Sequence, residues 1–114
     1  MGDAGESDAE RYLEAQGYRT VQRNFSCRDG EIDRIAWEGE TLCFVEIKAR
    51  VGRRFGSAVE SISRAKRRRL VKAAHWYLAQ HPTDAPCRFD VLAMDMDDSG
   101  EWRFTLLRSA FDAA

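Results

Sequence analysis

Apolar and polar positions along the chain divide it into alternating helical and extended segments. Residues 5–17, GESDAERYLEAQG, put Ala9, Tyr12, Leu13 and Gln16 at helical spacing and close on Gly17, which predicts a first helix. YRTVQRNF then alternates weakly, with Tyr18, Thr20, Gln22 and Asn24 on one side and Arg19, Val21, Arg23 and Phe25 on the other, as in a strand. EIDRIAW and TLCFVEIKA are rich in β-branched and aromatic residues. Between them Gly39 takes the first central place of a two-residue turn with Glu40, suiting type II′ and predicting a hairpin. Pairing outward from Glu38 and Thr41 sets Asp33 opposite Glu46 and Glu31 opposite Lys48. Because strand side chains alternate with period two, these four share one face, while Val45, Ile47 and Ala49 point the other way.

The following stretch, RVGRRFGSAVESI, has no sustained period and reads as a loop with a short turn or strand at 57–62. Ser63 has the character of an N-cap. From Arg64 to about Gln80 the spacing predicts a helix with Leu70, Ala73, Ala74 and Tyr77 inward and Arg67, Arg68 and Lys72 largely outward. His81-Pro82 stops it. Lys66 lies within about 50° of that inward stripe, where an unpaired cation is costly, so it should snorkel off the core edge, with its ammonium either at the face bearing Glu31, Asp33 and Glu46 or in ordinary water. CRFDVLAMDM and EWRFTLL give two more strands around the turn DDSG. Helix, three strands, helix, two strands is an α/β layer architecture whose first three strands form a meander, in one domain over residues 1–114.

Charge changes this picture locally. The net charge is only -1, yet residues 46–72 hold ten of the eighteen Lys and Arg and only two acids. An anionic partner follows as an expectation. No apolar run approaches a membrane span and no basic-then-apolar leader opens the chain, which points to a cytoplasmic protein without a membrane partner. Cys27, Cys43 and Cys87 lie far apart and form no CxxC pair or cluster with His75 or His81, so they are expected as reduced thiols without structural zinc.

Two carboxylates facing each other across a hairpin repel, by up to about 1 kcal/mol, so Asp33 and Glu46 need a reason to be there. A divalent cation supplies one, since Mg²⁺ takes oxygen ligands and is commonly held by one or two carboxylates. Lys48 on the same face can approach the same place, where an ammonium orients a water or offsets phosphate charge. Against this stands an ordinary exposed face, with Glu31 and Lys48 in a cross-strand ion pair and Asp33 with Glu46 merely tolerated.

GEID, twelve residues, then EIK resembles the PD-(D/E)XK nuclease superfamily. Further blocks, GESDAERYLEAQGYRTVQRNF, CFVEIKAR, FGSAVESISRAK and CRFDVLA with a terminal AF, resemble the YraN-type family of small uncharacterised bacterial proteins over nearly the whole chain. The resemblance implies a restriction endonuclease-like three-layer core with the last two strands in a mixed sheet. It implies metal ligation (Mg²⁺ or Mn²⁺) by Asp33 and Glu46, activation of water or phosphate by Lys48, and an accessory acidic role for Glu6. Glu31 belongs to the GEID block without a settled role.

The reaction expected from these residues is metal-dependent hydrolysis of DNA phosphodiester bonds, in structured or recombination and repair intermediates. Arg50, Arg53, Arg54, Lys66, Arg67 and Arg68 are the expected backbone contacts. RNA is left open, as is a homodimer. The alternative is a non-catalytic nucleic-acid-binding module with a vestigial site; a third reading makes the basic helix a protein-docking surface. Trp37, Trp76 and Trp102 are expected in the core or at sheet edges, Asp90 in a structural hydrogen bond, and His75 and His81 as bystanders.

Overall fold

The computed structural model describes residues 3–51 and 62–113. Arg53, Arg54 and most of the expected turn or strand at 57–62 therefore lie outside the described residues. The elements run α1 (Asp3–Ala15), β1 (Tyr18–Cys27), β2 (Gly30–Glu38), β3 (Thr41–Val51), α2 (Arg64–Gln80), β4 (Cys87–Met96) and β5 (Trp102–Phe111). The strands form one sheet in the order β1-β2-β3-β4-β5. β1, β2 and β3 are an antiparallel meander; β4 lies parallel to β3, and β5 antiparallel to β4. A parallel neighbour needs a crossover, and α2 provides it.

Alternation along the strands splits the core in two. Leu42 and Phe44 of β3, Phe89, Val91 and Ala93 of β4, and Ile35 of β2 pack with Leu70, Ala73, Ala74 and Tyr77 of α2. Cys43, Val45 and Ile47 of β3, Leu92 and Met94 of β4, and Ala36 of β2 pack with Ala9 and Leu13 of α1. The sheet thus lies between two helices, in three layers.

Local chemistry accounts for the elements. Gly17 adopts φ 97 just beyond α1, a conformation that ends a helix easily only with glycine. α1 begins earlier than the sequence predicted and ends at Ala15, so Gln16 is exposed beyond it rather than on its inner face. Gly39 takes φ 59 while Glu40 is not among the residues of positive φ, the sign pattern of the expected type II′ turn. Ser63 Oγ accepts the Lys66 amide at 3.1 Å, capping α2 as its sequence position suggested.

Candidate functional site

The site forms where β2 and β3 part. Their pairing runs from Glu38↔Thr41 to Arg34↔Val45, the register expected from the turn. Beyond that point β3 continues beside β4, from Glu46↔Val91 to Val51↔Met96, with no other strand paired to it among the described residues. Ile47 N–H, on the edge that β2 vacates, donates instead to Asp33 Oδ2 at 2.8 Å. The Asp33 side chain thereby does the work of a backbone carbonyl, and one oxygen of the carboxylate is held at the edge of β3.

Glu46 lies on the α2 side of the sheet, in alternation with Phe44, and is only 7% exposed. Burial raises its carboxyl, and the Asp33 carboxylate beside it raises it further by hydrogen bonding and by charge, to about 8. Lys66 opposes this shift: its Nζ comes from α2 to 3.4 Å from Glu46 Oε2. The inward lysine thus reaches the acidic face through the carboxylate nearest to it.

Lys48 stands two residues beyond Glu46 on the same strand, exposed, and has no ion-pair partner among the described residues. Glu31 does not face it. The chain pairs Glu31 with Ser26 of β1, and its carboxylate accepts the Ser26 hydroxyl at 2.9 Å. Ile32 and Ile35 share one core cluster, so strict alternation breaks between them and the pairing extrapolated from the turn does not extend to Glu31.

Asp33 and Glu46 suit a hard divalent cation. Both offer oxygen, and a pair in which burial and mutual repulsion favour a proton on Glu46 also favours any cation able to replace it. Among the described residues no group of three or more His, Cys, Asp or Glu comes together, so a cation held by Asp33 and Glu46 would find two carboxylates there.

The metal-free protein should lose stability as pH rises from about 5 to about 8. Its folded Glu46 holds a proton across that window that the unfolded chain has released, so deprotonation favours unfolding. Mg²⁺ or Mn²⁺ should flatten this slope and release about one proton per cation near pH 7, read by calorimetry in two buffers of different ionisation enthalpy. In Glu46→Gln both effects should vanish; release unchanged by that substitution would show that another group carries the proton.

The other expected residues are scattered. Glu6 of α1 borders an open groove with Ser7, Glu10, Arg11, Arg23 and Arg34, and no described contact joins it to Asp33 or Glu46. Arg50 makes a bidentate pair with Asp95 at 2.7 and 2.9 Å. Arg67, expected outward, is half-buried, donates to the Ile62 carbonyl at 3.2 Å and lies over the Phe111 ring at 5.7 Å. Arg68 is exposed.

Sequence reasoning missed Arg34, 2% exposed, which donates to Glu10 Oε1 at 2.9 Å and to the Asp33 carbonyl at 2.7 Å. It ties α1 to the strand residue that carries the site. Burial alone would raise Glu10, but hydrogen bonding and the charges of Arg34 and Arg23 outweigh it and hold the carboxyl below its usual range. An arginine inside a predicted strand was the available signal, since it must find a partner if buried.

The sequence profile of the uncharacterised protein family UPF0102 matches residues 5–94. A UPF0102 protein of Symbiobacterium thermophilum is 46% identical over 114 residues, covering 99% of this chain and 97% of its own length. Another from Janthinobacterium sp. is 43% identical over 112 residues, covering 98% and 87%. One from Hahella chejuensis is 50% identical over 93 residues, covering 81% and 75%. The matched segment runs through α1, the meander, α2 and most of β4, and so takes in Asp33, Glu46, Lys48 and Lys66 together: the chain belongs to the UPF0102 family.

Proposed function

We propose that this chain is a divalent-metal-dependent nuclease that hydrolyses phosphodiester bonds in DNA. The observation that carries the reading is the buried Glu46 carboxyl, raised by burial and by Asp33, with the Lys66 ammonium at 3.4 Å and Lys48 two residues along the same strand. The order of GEID and EIK on the hairpin, and a helix on each side of the sheet, support placement in the PD-(D/E)XK superfamily with a restriction endonuclease-like core.

A bound Mg²⁺ or Mn²⁺ would supply Lewis acidity toward a phosphate oxygen and acidify water. Asp33 and Glu46 are the residues that would hold it. Asp33 is oriented for this by Ile47 N–H, and Glu46 must give up its proton first. Lys48 orients the attacking water or offsets charge gained by the phosphate. Lys66, released from Glu46, anchors a phosphate oxygen, and the exposed Arg68 adds attraction for the backbone.

The test is single-turnover cleavage of duplex, flap and four-way-junction DNA with Mg²⁺ or Mn²⁺, comparing wild type with Asp33→Asn. Metal-dependent cutting lost in the variant is expected; no cutting of any substrate sinks the reading. The Lys66–Glu46 pair favours one competing reading, a binding module in which that lysine permanently takes the cation's place. DNA binding that survives both chelation and Asp33→Asn, with no cleavage, is its signature.

A further inference from the structure

Trp76 was expected in the core or at a sheet edge, yet it is 40% exposed on α2. Its ring is nevertheless anchored. The indole Nε1 donates to Asp29 Oδ2 at 2.6 Å, which satisfies its one polar atom. Asp29 sits in the turn between β1 and β2, and that turn rests on α2: a Cβ placed on Gly30 would come 3.3 Å from Arg69 Cβ. The Arg28 guanidinium lies 6.0 Å from the centre of the Trp76 ring, at the limit of a cation–π contact. Arg28, Asp29, Lys72, His75 and Trp76 line an open groove of about 410 Å³.

We infer that this groove holds an unpaired base of single-stranded nucleic acid against Trp76, with Arg28 and Lys72 on the flanking phosphates. The inference rests on the nucleic-acid reading above and extends it to a second place on the chain. Charge complementarity selects the ligand's backbone. α2 carries no acid from Arg64 to Gln80, and in the groove Arg28 and Lys72 outnumber the one acid, Asp29, whose Oδ2 accepts the indole N–H. The flat ring selects what the backbone carries, because every base presents a π-face, whereas a purely acidic chain makes no use of it. Trp76 lies ten residues along α2 from Lys66, about 15 Å at the helical rise. A strand bound here is therefore set apart from the Asp33–Glu46 pair along α2, in keeping with a substrate that has an unpaired arm.

The test uses the full chain in EDTA, so that cleavage plays no part, and fluorescence anisotropy with three labelled probes of equal length: oligothymidylate, an abasic strand and a blunt duplex. Wild type should prefer oligothymidylate to the abasic strand. Trp76→Ala should weaken oligothymidylate binding about tenfold or more and leave the abasic strand unchanged. Trp76→Tyr should restore most of the loss. Circular dichroism melts establish that both variants are folded. Equal losses on the base-bearing and abasic strands, or no loss on either, overturn the site, as does full displacement of oligothymidylate by polyglutamate at matched charge. Failure of the nuclease reading looks different: wild type binds oligothymidylate through Trp76 and cuts nothing when metal is restored.

Discussion

Lys48→Met is expected to slow metal-dependent cleavage about 10²- to 10⁴-fold while the protein stays folded and still binds metal through Asp33 and Glu46. Lys48 lies past the last β2–β3 pair, on the stretch of β3 that runs beside β4, with Ala93 opposite it. Its side chain is exposed and without an ion-pair partner among the described residues, so its removal should change stability by no more than about 0.5 kcal/mol. Loss of rate without loss of fold separates a chemical role from a structural one. Lys48→Arg keeps the charge but spreads it over a planar fork, and should recover only part of the rate. Single-turnover kinetics at saturating enzyme decide the matter; Lys48→Met cutting within twofold of wild type would remove the lysine from the reaction.

The largest stability effect is expected far from that chemistry, at Asp90. This carboxylate is 0% exposed on β4 and accepts four hydrogen bonds. Oδ1 takes Arg88 Nε at 2.8 Å and the Ser109 amide at 3.0 Å, and Oδ2 takes the Tyr18 hydroxyl at 2.5 Å and Arg88 Nη2 at 2.9 Å. Arg88 continues to Glu38 at 2.6 Å, and Glu38 to Arg108. Arg108, with burial working against it and Arg88 helping, holds the Glu38 carboxyl down at about 2. In Asp90→Asn the amide nitrogen would meet donors, and the Arg88 charge would lose its nearest counter-ion. Breaking a buried pair from one side costs about 3–5 kcal/mol. Urea unfolding should show that loss in the midpoint with the slope preserved; a loss below about 1 kcal/mol would mean the network relaxes around the amide.

How much of this could be read from the chain depends on whether the signal was local. The β2–β3 register followed from Gly39 and the two strands beside it, and the α2 stripe of Leu70, Ala73, Ala74 and Tyr77 from helical spacing. That Lys66 leaves the apolar stripe at an edge was legible by the same count, while its ending on Glu46 rather than in water was not. Glu31 was misplaced by extending a ladder that ends at Arg34, an ending no turn residue announces. β5 runs on to Phe111 although Arg108, Ser109 and Ala110 do not alternate, and Ser109 takes φ 52 near the irregularity in its pairing with β4. Trp76 went astray through its identity alone; one residue from Tyr77, it is turned about 100° from the inner stripe. The links from Arg88 to Glu38 and Tyr18 span 50 and 70 residues and leave no local trace.

Among the described residues no helix is long and apolar enough to cross a membrane. The three cysteines are free thiols, as expected, but they differ in setting. Cys43 is 0% exposed beneath the Asp90 network, and burial together with the Asp90 charge pushes its thiol up to about 12. Alkylating reagents need both access and thiolate, so Cys43 reacts only in molecules that have opened, while Cys87 on the surface reacts in all of them. The label on Cys43, told from that on the half-buried Cys27 by peptide mapping, therefore counts opening events. If Asp90→Asn removes about 3 kcal/mol, that count should run on the order of a hundred times faster, and the chain carries its own clock for how often its sheet comes apart.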